Sequence, residues 1–142
     1  MMVEELLSYT LTDVKDLNQL MHELSSMSYC NEAIINDIID DENSHAYIIR
    51  EDGHIIAAWT LCVIHTLEFA NACIESVEVS LKQRGKGLGK LLVDHMINEA
   101  KRMKAHSIHL TSNPKRVAAN NLYQRMGFVK YETNCYVLDL LN

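Results

Sequence analysis

Lys82, Arg84, Lys86 and Lys90 crowd around Gly85, Gly87 and Gly89 in the run Val79-Ser-Leu-Lys-Gln-Arg-Gly-Lys-Gly-Leu-Gly-Lys90. Alternate glycines leave backbone N–H groups uncovered by side chains. Where such a turn opens a helix, those amides and the helix dipole can hold an anion such as a phosphate. The chemistry on offer is therefore an anion cradle, with lysines adding longer-range attraction. Two commoner phosphate loops do not fit: G-x-G-x-x-G needs glycine where Lys90 stands, and a Walker loop needs glycine at Arg84 and Ser or Thr at Leu91.

The charge of the chain is divided in the same sense. The total is −6, yet residues 1–80 hold 15 acidic and 2 basic side chains while residues 81–142 hold 4 and 11. The C-terminal half suits an anionic ligand and the N-terminal half a cationic one. A nucleic-acid partner is not expected of a chain that is acidic overall with only 6% aromatic residues. No run of 18 apolar residues occurs, and Glu4 and Glu5 stand where a signal peptide needs a basic start, so no membrane partner and a cytoplasmic location are expected. Cys30, Cys62, Cys73 and Cys135 lack C-x-x-C spacing and read as reduced thiols, mostly in the core. The seven histidines form no ligand set, with His106 and His109 flanking a strand start, and no metal is expected.

The elements that must position the glycine turn follow from periodicity. Leu6 to Thr10 reads as a short first strand, and from Thr12 the residues Val14, Leu17, Leu20, Met21 and Leu24 recur at helical spacing. Asn31 caps a second helix to about Asp40, with Ile34, Ile35, Ile38 and Ile39 on its apolar side. Ala46 to Arg50 and His54 to Ile64 are strands joined through Asp52-Gly53, a hairpin signal because both residues tolerate positive φ. Cys73 to Val79 is the next strand, its alternation placing Glu75, Val77 and Val79 on one face. From Gly87 an amphipathic helix runs to about Lys104, followed by a strand at Ser107 to Thr111, a helix from Val117 to Met126 stopped by Gly127, and closing strands over Tyr131 to Leu140. The expected fold is α/β with a mixed sheet, in the order β-α-α-β-β-β-α-β-α-β. With one proline and no linker-like tract, residues 1–142 are expected to form a single domain.

Arg84-Gly85-Lys86-Gly87-Leu88-Gly89, after a strand ending at Val79, resembles the R/Q-x-x-G-x-G/A pyrophosphate signature of GNAT acetyltransferases. Ala119-Asn-Asn-Leu-Tyr123-Gln-Arg-Met-Gly127-Phe128 resembles that family's A-x-x-x-Y-x-x-x-G-F segment. The resemblance implies the GNAT fold and acetyl-CoA as cosubstrate. It also implies that backbone groups of Val77, Glu78 and Val79 meet the pantetheine arm and that Arg84 to Lys90 take the pyrophosphate. Tyr123 is implied as the general acid that protonates the departing thiolate.

A general base must take the proton of the amine, and Glu75 is the candidate, at a strand position where small-amine members such as glucosamine-phosphate acetyltransferases also carry glutamate. Histone acetyltransferases place theirs two residues earlier, at the position of Cys73. Many members have asparagine where this chain has Arg116, with Asn113 and Asn120 nearby as substitutes for the pantetheine contact. Arg116 is then available to a CoA phosphate or an anionic part of the substrate. The expected function is direct transfer of acetyl from acetyl-CoA to a primary amine, a small or cationic acceptor in view of Glu23, Glu32, Asp37, Asp40, Asp41, Glu42 and Glu68 on the acceptor side. A protein or peptide N-acetyltransferase and a non-catalytic acyl-CoA-binding module are the alternatives, and a homodimer is left open.

Overall fold

The structure is a computed structural model and describes residues 1–141. Its elements are β1 (Val3–Glu5), α1 (Leu11–Leu24), α2 (Glu32–Asp40), β2 (Ser44–Glu51), β3 (His54–His65), β4 (Ala70–Val79), a 3-10 turn (Leu81–Gln83), α3 (Leu88–Arg102), β5 (Ile108–Leu110) and α4 (Val117–Arg125). The strands form one sheet in the order β1-β2-β3-β4-β5, antiparallel except for the parallel pair β4–β5 that α3 connects.

The sheet divides the interior in two. On one face α3 and α4 bury Leu92, Val93, Met96 and Tyr123 against Tyr47, Ile49, Trp59, Leu61 and Ile74. On the other, α1 and α2 pack Leu17, Leu20 and Ile35 on Leu6, Ile48, Ile55 and Ala58. Helix α1 begins with a capping box in which Thr10 and Asp13 bond each other's backbone N–H. Asp13 is also 2% exposed and accepts two bonds from Arg50, at 2.6 and 3.0 Å. That charged pair ties the start of α1 to β2, and Arg50 holds the Asp13 carboxyl below the usual range against the opposing effect of burial.

Three expectations change. The first strand lies earlier than Leu6 to Thr10, because Val3, Glu4 and Glu5 pair with Ile49, Ile48 and Tyr47 while Leu6 turns into the core. Helix α1 begins at Leu11, one residue before the Thr12 from which the periodic pattern runs, because Thr10 with Asp13 three residues on supplies its cap. Among the described residues no strand follows α4: Tyr131 to Leu140 is non-regular and exposed, and β5 is the last strand of the sheet. The Asp52-Gly53 hairpin is as expected, with φ of 51° and 80°.

Candidate active site

Strand β4 carries a local break. Ser76 has φ of 56°, and the ladder to β3 jumps from Thr60↔Glu75 to Ala58↔Glu78, the mark of a bulge. The extra residue resets the alternation. Ala72, Ile74, Val77 and Val79 consequently pack together on the α3 side, and Glu75, the partner of Thr60, does not share the face of Val77 and Val79. Strict period-two alternation puts the three together; one residue in the left-handed region overrides it.

Past the bulge β4 also loses its other neighbour. The β4–β5 ladder contains only Ala72↔Ile108, Cys73↔His109 and Ile74↔Leu110, so Glu75 to Val79 run without β5 beside them. Arg116, at the start of α4, donates from Nη2 to the carbonyl of Val77 at 3.3 Å. Glu78 is 2% exposed and receives Arg84 Nη2 at 2.8 Å, with Arg116 Nη2 at 3.9 Å. This two-arginine clasp on one buried carboxylate fixes the end of β4 to the loop after it and to α4. The family resemblance implies only a backbone role for Glu78, a pyrophosphate contact for Arg84, and a CoA phosphate or an anionic part of the substrate for Arg116; the clasp itself is not among those roles. The available signal was a glutamate between two valines in a strand otherwise bound for the core.

The glycine turn follows. Gly85 and Gly87 have φ of 79° and 80°, and a Cβ at either would meet nothing within 4 Å. Backbone conformation, not crowding, requires glycine here, and the space above the turn is open. Gly87 is the N-cap of α3 and supplies no side-chain bond, so the amides of Leu88, Gly89 and Lys90 start the helix without a side-chain partner. Gly89 matters for another reason, since a Cβ there would lie 2.9 Å from Leu122 Cδ2 and its absence lets α4 approach α3. Lys86 bonds Gln83 Oε1 and Lys90 pairs with Asp94, both on the surface.

On α4, Tyr123 is 6% exposed with its ring 5.7 Å from that of Phe128. Burial raises its hydroxyl pKa, nearby Arg116 opposes that and Glu78 reinforces it. The phenol is thus kept protonated through the neutral range. Asn120 donates to the carbonyls of Asn113 and Arg116, both at 2.9 Å, and Asn113 Oδ1 accepts from Lys115 N. Both asparagines shape the turn that presents Arg116, and the Asn120 amide hydrogens are already engaged. Cys73 lies on β4 with its thiol pKa raised by burial and, to a lesser degree, by Glu75 and Cys62. The cysteines are free, three of them half-buried rather than in the core, and among the described residues no three His, Cys, Asp or Glu side chains gather as a metal site.

The model of the Acetyltransferase (GNAT) family matches residues 11–128, and the chain belongs to that family. A protein of Agrobacterium tumefaciens str. C58 assigned as an acetyltransferase superposes with TM-score 0.83 at 21% identity, over 98% of this chain and 100% of that one. An acetyltransferase of Trypanosoma brucei gives 0.79 at 21%, over 98% and 99%. A protein of Clostridium acetobutylicum assigned as an acetyltransferase and solved with acetyl-CoA gives 0.74 at 16%, over 96% and 94%. At these identities the likeness shows the α/β fold. No curated protein sequence matches. No helix among the described residues is long and apolar enough to cross a membrane.

Proposed function

We propose that this GNAT-family chain is an acetyl-CoA-dependent N-acetyltransferase that passes acetyl directly to a primary amine. The observation that carries the reading is the uncapped start of α3 at Gly87, immediately after a β4 whose end has parted from β5. Acetyl-CoA, when bound, supplies an activated thioester. The residues fit it: open space lies over Gly85 and Gly87, and a phosphate is the natural partner for the amides of Leu88, Gly89 and Lys90.

Each residue then has a role that its surroundings allow. Lys86 and Lys90 draw the polyphosphate in, while Arg84, clasped to Glu78, holds the turn in shape. The backbone from Val77 to Val79, free of β5, faces the pantetheine arm. Tyr123, kept protonated by burial, holds the proton that a departing thiolate needs. Glu75 is exposed beside Thr60 and takes the proton of the incoming amine. Burial keeps the Cys73 thiol protonated and a poor nucleophile, which supports direct transfer over an acyl-cysteine route. The test is to supply acetyl-CoA with a panel of amines and follow free CoA thiol. Amine-dependent release supports the reading, and tight acetyl-CoA binding with no release for any amine or peptide would convert the chain into a binding module.

A further inference from the structure

Helix α2 carries four isoleucines, yet only Ile35 is buried; Ile34, Ile38 and Ile39 stay half-buried. All four line a cavity of about 110 Å³ between α1, α2 and strands β2 to β4. Met21 and Tyr29 contribute to its wall, Thr60 and Ser76 form its β3–β4 side, and no Asp, Glu, Lys, Arg or His lines it. Ser76 is the bulge residue, so the β4 side of the cavity lies just past Ile74, where the ladder to β5 stops. The acidic residues that suggest a cationic acceptor, Glu23, Glu32, Asp37, Asp40, Asp41, Glu42 and Glu68, all lie outside this lining.

From this geometry we infer the acceptor class, resting on the acetyltransferase reading: a primary amine borne on a compact apolar group of about four or five carbons. An apolar cavity of about 150 Å³ holds a benzene-sized molecule, which sets the scale. A sugar would leave most of its hydroxyls unpaired in such a lining, whereas the ammonium of an alkylamine at the Thr60–Ser76 side has Glu75 next along the strand. The N-terminal half's negative charge then serves to attract a monocation, and the cavity selects what hangs from it.

The experiment measures thiol release at saturating acetyl-CoA for n-alkylamines from methyl to hexyl, with spermidine and glucosamine as polar comparators. We expect kcat/KM to rise about fourfold per methylene up to butyl or pentyl and then level, with both comparators at least about tenfold poorer than pentylamine. In Ala46→Leu, which narrows the cavity, the pentylamine-to-ethylamine ratio falls about tenfold, and in Ile38→Ala the optimum moves to a longer chain. Thiol release that ignores chain length, or prefers a comparator, overturns the inference and leaves acetyl transfer standing. Absence of thiol release with every amine removes the catalytic reading; pentylamine binding by calorimetry, lost in Ala46→Leu, then still decides whether the cavity takes the alkyl group.

Discussion

Arg116 reaches across the parted strands to the carbonyl of Val77, 3.3 Å from its Nη2, and the same guanidinium lies 3.9 Å from the buried Glu78 carboxylate that Arg84 also holds. Arg84→Met alone should cost about 1–2 kcal/mol in urea unfolding, because Arg84 is half exposed and Arg116 remains as a partner. The double variant with Arg116→Met should cost more than the sum of the two singles. Adding Glu78→Gln should recover part of the loss, since an unpaired buried charge is what destabilises. Simple additivity, with no recovery, would show that the clasp is not a unit.

Gly87→Ala should lower stability by about 1–2 kcal/mol through backbone strain at φ 80°, with no clash to relieve. Gly87→Asp adds a negative charge over the uncapped amides and should reduce acetyl-CoA affinity by at least about a hundredfold by calorimetry. Gly89→Ala behaves differently, because its cost comes from Leu122 at 2.9 Å and should shrink when Leu122→Ala is added.

Tyr123→Phe should lower kcat by about ten- to a thousandfold while acetyl-CoA binding stays nearly intact. Because burial raises the hydroxyl pKa, the donor is lost only as pH rises above the ordinary tyrosine range. The rate should therefore show no tyrosine-dependent fall below about pH 10. A fall between neutrality and pH 9 that vanishes in Tyr123→Phe would contradict this assignment.

The glycine turn, the two-residue hairpin and the α2 cap were legible in the sequence, because each is a local device: a positive-φ residue or an Asn cap. The Ser76 bulge was not, since serine rarely adopts φ of 56° and only pairing with β3 imposes it. That single residue moved Glu75 off the face of Val77 and Val79. The Glu78 clasp joins Glu78 to Arg116 on a helix far along the chain, a long-range contact that composition does not encode. The closing strand failed for a related reason: Tyr131 to Leu140 has strand composition, but a strand exists only beside another edge.

Asp13 gives a pH prediction for stability. Its carboxyl is held below the usual value by Arg50, so the pair contributes stability above the unfolded value near about 3.9 that is lost as pH falls through the folded one. Asp13→Asn should cost about 2 kcal/mol at pH 7, discounted for an Arg50 that is a third exposed, and should flatten the loss of stability between about pH 5 and 2. Urea midpoints across that range for both proteins check the slope.

Acetyl transfer from CoA to an amine at the Gly87 turn is met most directly by a mass balance, with free CoA thiol and N-acetylated product quantified together for the native chain and for Gly87→Asp. Thiol and acetyl-amine are predicted to appear one for one with the native chain, and both should fall together in the variant. Thiol release without acetylated amine, or a native rate that Gly87→Asp leaves unchanged, would contradict it.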